Sequence, residues 1–208
     1  MLETLEEKVD PRHAALVVID MQNDFCHSEG FMAKRGRDMS SCQNVVPKLS
    51  NLLTHAHQIG VSIIFVRMIN NDWTQSEAIL EWRKRVFGDT SVMPVRDGTW
   101  GAEFYQLSPL PSDNIITKHR YSAFINTSLE LILRSRGIRT LILSGVMTNV
   151  CVESTAREGF MRDYYIVFLK DCTGTYNPQI HEATLQNIEA MFGVVINSDD
   201  VIAAWAKQ

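Results

Sequence analysis

The sequence predicts an α/β layered fold around a parallel sheet, on three observations. Apolar runs of strand length alternate with amphipathic stretches of helix length, the runs are apolar on both faces, and glycine follows several of the helical stretches. A strand covered by helices on both sides has no solvent face, so it reads as an unbroken apolar run and not as an alternating one.

In chain order, the strand-like runs fall at 14–19, 61–67, 115–117, 140–143, 164–169 and 194–196, and the helix-like segments at 45–58, 127–135, 149–162 and 178–191. Gly60, Gly137 and Gly193 close helical segments, as a residue free of Cβ constraints does at a helix end. Residues 75–87 read as a further helix. Residues 88–113, carrying Pro94, Gly98, Gly101, Pro109 and Pro111, read as a long irregular insertion of the functional or mobile kind. No internal repeat, low-complexity tract or composition break marks a linker, and 208 residues suit one domain spanning 1–208.

Composition narrows the partners. With 20 basic against 24 acidic residues the net charge is -4, which offers little attraction to nucleic acid or to an anionic membrane. The compact basic run Arg83-Lys84-Arg85 reads as a solvated helix face. Met1 to Asp10 is acidic and lacks a signal-like apolar core, and no segment approaches the roughly 20 apolar residues needed to span a bilayer. A cytoplasmic protein is expected. The four cysteines, Cys26, Cys42, Cys151 and Cys172, form no Cys-x-x-Cys pair and read as free thiols.

Ligands of an open α/β sheet bind beyond the carboxyl ends of its strands, which singles out three polar residues. Asp20 closes Leu16-Val17-Val18-Ile19, Lys118 follows Ile115-Ile116-Thr117, and Cys151 lies beyond Leu141-Ile142-Leu143-Ser144-Gly145-Val146. Thr148-Asn149 opens the helix whose first turn holds Cys151, and a helix N-terminus is expected to lower a thiol pKa. A thiol attacking a carbonyl also needs a proton acceptor, an oxyanion stabiliser and a means of protonating the leaving nitrogen. Asp20 can move protons, Lys118 can hold Asp20 and neutralise charge, and the backbone N–H groups of Met147 and Cys151 can form an oxyanion hole. Each residue has a bland alternative. Free cysteine is commonly a small buried hydrophobe, Asp20 could cap the turn through Gln22-Asn23-Asp24, and a lysine at a strand edge is commonly solvated.

Three elements weigh against the bland alternatives: Val18-Ile19-Asp20-Met21-Gln22-Asn23-Asp24-Phe25, Lys118-His119-Arg120-Tyr121-Ser122-Ala123-Phe124 and Ser144-Gly145-Val146-Met147-Thr148-Asn149-Val150-Cys151-Val152. In that order, and over about 14–205, they closely resemble the isochorismatase-like cysteine hydrolases. The resemblance implies a three-layer αβα sandwich with a six-stranded parallel sheet, an Asp20-Lys118-Cys151 triad, a cis peptide at Val146-Met147, and a homo-oligomer, dimer or tetramer.

Within that family, members cleaving a vinyl ether generally lack the nucleophilic cysteine, so Cys151 favours attack on a carbonyl. The nicotinamidase branch usually carries an Asp and two His as metal ligands after the second strand. Here that segment reads Arg67-Met68-Ile69-Asn70-Asn71-Asp72-Trp73-Thr74, without histidine, so no metal and no cofactor is expected. His55 and His57, spaced i, i+2 on a helix, do not face one site and read as surface residues. Thr148-Asn149-Val150-Cys151-Val152-Glu153-Ser154-Thr155-Ala156-Arg157 looks most like the ureidoacrylate amidohydrolase, biuret hydrolase and N-carbamoylsarcosine amidase branch. The expected substrate is thus a small ureido or carbamoyl amide. Asn70 and Tyr121 are the candidates for its hydrogen bonds; Phe25, Phe124 and Trp100 are candidates for pocket walls, with core packing the alternative for each aromatic. Cys172 reads as inert. The rivals are a nicotinamidase-like or other small-amide hydrolase, an ester or enol ether hydrolase on the same scaffold, and a non-catalytic binding module.

Overall fold

In a computed structural model, which describes residues 1–207, the elements follow one another as α1 (Leu5–Lys8), β1 (Ala14–Ile19), α2 (Asn23–Cys26), α3 (Ser40–Ile59), β2 (Ser62–Met68), α4 (Glu77–Phe87), β3 (Asn114–Lys118), α5 (Leu129–Ser135), β4 (Thr140–Val146), α6 (Glu153–Met161), β5 (Tyr165–Gly174), α7 (Pro178–Met191), β6 (Val194–Ile196) and α8 (Ser198–Trp205). The six strands form one sheet in the order β3-β2-β1-β4-β5-β6, and every pairing is parallel. The expected βα alternation is therefore present.

Period-two geometry divides β1 between two cores. Leu16 and Val18 face a cluster shared with Leu49 and Leu52 of α3 and with Val201, Ala204 and Trp205 of α8. Ala15, Val17 and Ile19 face the opposite cluster, with Leu129 and Leu133 of α5, Ala156 of α6, and Leu185 and Ile188 of α7. Helices on both faces leave all of β1 buried, which is why it reads as an unbroken apolar run.

The strand order reverses direction at β1 and β4, and such a switch point opens a crevice at the strands' carboxyl ends. Asp20 follows β1 and Cys151 follows β4, so both lie at that crevice, while Lys118 reaches it from the end of β3.

Several elements differ from expectation. α1, α2 and α8 are helices outside the helix-like segments read from the sequence. The N-terminus of α8 is closed by a capping box in which Asn197 N donates to Asp200 Oδ2 at 3.0 Å, and it is tied to β5 by Asp171, which accepts from Ser198 N at 2.8 Å and Ser198 Oγ at 2.7 Å. β5 runs on through the polar Lys170-Asp171 pair because a register shift between Leu143 and Gly145 of β4 re-pairs the strands as Gly145 with Thr173 and Val146 with Gly174. Cys172 therefore lies within β5, not after it, and burial pushes its thiol up to about 12. The basic run at 83–85 is not one solvated face. Lys84 and Arg85 are exposed, but Arg83 is the one buried residue of α4.

No helix among the described residues is long and apolar enough to cross a membrane.

Candidate active site

Asp20 ends β1 in the left-handed region, at φ 51°, a conformation that Asp tolerates better than most side chains. Its N–H donates to Val66 O at 2.8 Å and its carbonyl accepts from Gln22 N at 2.7 Å, which turns the chain sharply at the strand end. The carboxylate then faces Lys118 across the end of β2. Lys118 Nζ donates to Asp20 Oδ2 at 2.7 Å, to Arg120 O at 3.2 Å and to Met68 Sδ at 3.7 Å, so its three protons have three acceptors. The side chains of Lys118 and Asp20 are 0% and 1% exposed. Lys118 is a buried partner of Asp20 and not a solvated edge residue.

Burial holds the Asp20 pKa above the ordinary carboxylate range, against the opposing pull of Lys118 and Cys151. Burial would lower the Lys118 pKa, but the negative charges of Asp20 and Cys151 outweigh it and hold the ammonium protonated. Asp20 Oδ1, the oxygen not used by Lys118, has no hydrogen-bond partner of standard geometry. The Cys151 thiol nevertheless acts on the ionisation of both Asp20 and Lys118. The sulfur is thus their close neighbour, without a formed S–H···O bond in the resting geometry.

Cys151 sits in a π-helical turn, Thr148–Val152, that runs into α6. Met147 O accepts from both Val150 N at 3.0 Å and Val152 N at 3.2 Å, the wide turn lying between strand and helix. Thr155 ties this turn to the segment after β3: its Oγ1 donates to Cys151 O at 2.7 Å and accepts from Ala123 N at 3.0 Å. The Val146–Met147 peptide is cis, as the motif resemblance implies. One expectation is corrected. The helix-start position does not lower the thiol pKa; burial, reinforced by the Asp20 carboxylate, raises it despite Lys118. At neutral pH the resting sulfur carries its proton, so it needs a base beside it.

Gly145, which places the turn, has φ 106°, and a Cβ there would overlap the backbone of Ile19. Gly145→Ala is expected to destabilise the protein by about 3 kcal/mol or more, read as a large fall in denaturant midpoint. An unchanged midpoint would show that β1 and β4 can separate at this point.

The other predicted site residues have mixed fates. Asn70 is buried, and its Nδ2 donates to Pro94 O at 2.8 Å while its backbone pairs with Val95 and Asp97, so it anchors the insertion. Tyr121 is 43% exposed, and its phenol is raised by burial and, after it, by the charge of Cys151. Phe25 packs between the α3-side core and a small cluster of Met68, Ile69, Val95 and Ala102. Trp100 begins a 3-10 turn in the insertion, half-exposed and edge-on to His27 at 4.9 Å. Phe124 is not at the crevice: it packs on Tyr164 and under Arg162, beside Gly159 in the last part of α6. Its ring lies at the opposite end of α6 from Cys151, which makes it core.

Among the described residues, no group of three His, Cys, Asp or Glu is placed to hold a metal ion. His57 instead pairs with Asp113 at 2.9 Å. Two surface depressions, about 690 and 670 Å³, include none of Asp20, Lys118 and Cys151; the second is lined in part by Tyr121 and Ser154.

A family model described as the Isochorismatase domain matches residues 14–200. The chain belongs to the isochorismatase family. A relative named ureidoacrylate amidohydrolase RutB, from Pseudomonas syringae pv. syringae (strain B728a), is 36% identical over 207 residues, covering 93% of this chain and 84% of that protein. Among solved structures, a cysteine hydrolase from Pseudomonas syringae pv. phaseolicola 1448A has a TM-score of 0.83 at 26% identity, covering 96% of this chain and 95% of that one. N-carbamoylsarcosine amidase from Thermoplasma acidophilum has a TM-score of 0.71 at 25% identity, covering 90% and 97%.

In this isochorismatase-family chain, several residues around the crevice escaped the sequence reading. Gln22 bonds both backbone groups of Met68, at 2.8 and 2.9 Å, and Ala102 O at 2.8 Å. Asn23 Nδ2 holds Trp100 O at 2.9 Å, and Asp24 accepts from Phe31 N and Val95 N. These three fasten the 94–102 segment over the end of β2. Their signal was present, since polar residues following a buried strand must find partners, but the partners lie about 70 residues on, beyond local pattern.

Proposed function

We propose that this protein is an amidohydrolase that cleaves a C–N bond of a small ureido or carbamoyl compound through a covalent adduct on Cys151. The observation that carries this reading is the protonated thiol lying beside a buried carboxylate whose second oxygen is unoccupied, with an ammonium fixed on the first. The named relatives act in its favour, since one is a ureidoacrylate amidohydrolase and another an N-carbamoylsarcosine amidase.

In this reading Asp20 Oδ1 takes the thiol proton and the thiolate attacks the carbonyl carbon. The oxyanion is met by the backbone N–H groups of Met147 and Cys151, and protonated Asp20 returns the proton to the departing nitrogen. Water, deprotonated by Asp20, then attacks the carbonyl of the adduct; its C–S bond breaks and the sulfur recovers a proton. Lys118 keeps the carboxylate charged between the proton transfers. Loss of the terminal nitrogen gives ammonia directly, and loss of the internal one gives carbamate, which decomposes to ammonia and carbon dioxide. An ammonia assay over ureidoacrylate, biuret, N-carbamoyl amino acids and nicotinamide reads both routes. Ammonia from none of the panel, with hydrolysis of esters or enol ethers, would overturn the reading.

The pH profile supplies a second test. The base works only when ionised, and burial raises its pKa. The rate is therefore expected to fall on the acid side at a higher pH than an exposed aspartate would give. The charge of Asp20 and Cys151 raises the Lys118 pKa, so the plateau is expected to continue beyond the ordinary lysine range. An acid limb in the ordinary carboxylate range would remove Asp20 from the role of base.

A further inference from the structure

The one residue that α4 buries is a cation. Arg83 is 1% exposed, and neither its Nε nor its Nη1 has a hydrogen-bond partner. Among the described residues, the ionisable group acting on it is the phenol of Tyr121, not a carboxylate. A guanidinium cannot shed its proton at any ordinary pH, so burying it unpaired is costly and calls for an anion. Burial accordingly lowers its pKa.

The position leads back to the sulfur. Trp82, next to Arg83 on α4, meets the Tyr121 ring edge-on at 6.4 Å. Tyr121 lies three residues beyond Lys118, and its phenol is acted on by Cys151, Lys118 and Arg83 together. The neighbouring cations are otherwise engaged. Lys118 is held by Asp20, and Arg120 Nη1 donates to the carbonyls of Thr74 and His119. Arg83 leaves Nε and Nη1 unpartnered on a planar fork, whose natural counterpart is the planar pair of oxygens in a carboxylate.

The geometry points to Arg83 as the anchor for a carboxylate on the substrate, with Tyr121 between that anchor and the Cys151 sulfur. This narrows the substrate class to ureido or carbamoyl acids, and it rests on the function proposed above. The carboxylate end is held at α4 while the ureido carbonyl is presented to the thiol. Neutral ureido compounds of the same size lack the contact.

The test is binding to a protein that cannot turn over. Ureidoacrylate and its neutral carboxamide are titrated calorimetrically into the Cys151→Ala protein and into the Cys151→Ala/Arg83→Gln double variant. The acid is expected to bind the first about 30-fold or more tighter than the carboxamide. That advantage is expected to vanish in the double variant and to return in part with Arg83→Lys. Equal binding of acid and amide, or an advantage that survives Arg83→Gln, overturns the assignment. A ligand-free melting curve guards against a folding artefact. Arg83→Met is expected to melt no lower than the parent, because it removes an unpaired buried charge. Melting well below the parent would mean that the guanidinium is already neutralised within the protein, and would also overturn it. Release of no ammonia from a well-bound acid by the native protein would sink the hydrolase reading alone, leaving the anchor in place.

Discussion

Cys151→Ala is expected to reduce turnover by on the order of 10⁴-fold or more, the scale seen when a covalent nucleophile is removed from a unit that acts together. The side chain is 6% exposed and packs in the α6-side core, so losing one sulfur atom is expected to cost only about 1 kcal/mol of stability. Activity and fold therefore separate cleanly. Cys151→Ser is expected to be nearly as inactive, since an alcohol holds its proton far more tightly than a thiol and is the poorer nucleophile near neutral pH. Intact-protein mass spectrometry after mixing with a slow substrate is expected to show an added mass on the native chain and none on either variant. Full turnover by the alanine variant would end the covalent mechanism.

The second large effect concerns stability. Lys118→Met leaves the Asp20 carboxylate in a site that is 1% exposed, with its ammonium gone. Breaking a buried pair by deleting one partner costs about 3–5 kcal/mol, whereas replacing both partners by groups of similar shape is commonly near neutral. Lys118→Met is thus expected to lower the denaturant midpoint sharply, and Asp20→Asn/Lys118→Met to recover most of the loss while remaining inactive. The single variant's deficit is expected to grow as pH rises. A carboxyl whose folded pKa is raised favours the fold while it is protonated, and that advantage disappears as pH climbs through the folded value. Equal stability of Lys118→Met and the native chain at neutral pH would mean that the pair is not buried as the structure has it.

What the sequence discloses follows the range of each interaction. Strand runs such as 14–19 are legible because burial on both faces leaves a local signature, and Asp20, Lys118 and Cys151 are legible because strand ends have a topological meaning. The tie that seats α8 against β5 is not, since Asp171 lies 27 residues before Ser198, although the capping box of Asn197 and Asp200 that starts the helix is a local signal. The true length of β5 is hidden for a similar reason: a register shift in a neighbouring strand carries pairing past two polar residues. Phe124 shows the limit for aromatic residues. Its place in a site-bearing motif suggested a pocket wall, but which way a ring turns depends on α6 and Tyr164, which no window around it contains. Arg83 inverts the usual rule that a basic run is solvated, because only one member of the run faces inward.

The protonated state of the resting sulfur bears on how the protein is handled. Iodoacetamide and hydrogen peroxide react with thiolate, so a buried thiol held above its ordinary pKa is sluggish toward both. Slow alkylation at neutral pH is therefore no sign of an idle cysteine here. It is what the proposed mechanism expects of a sulfur that turns reactive only when Asp20 draws off its proton.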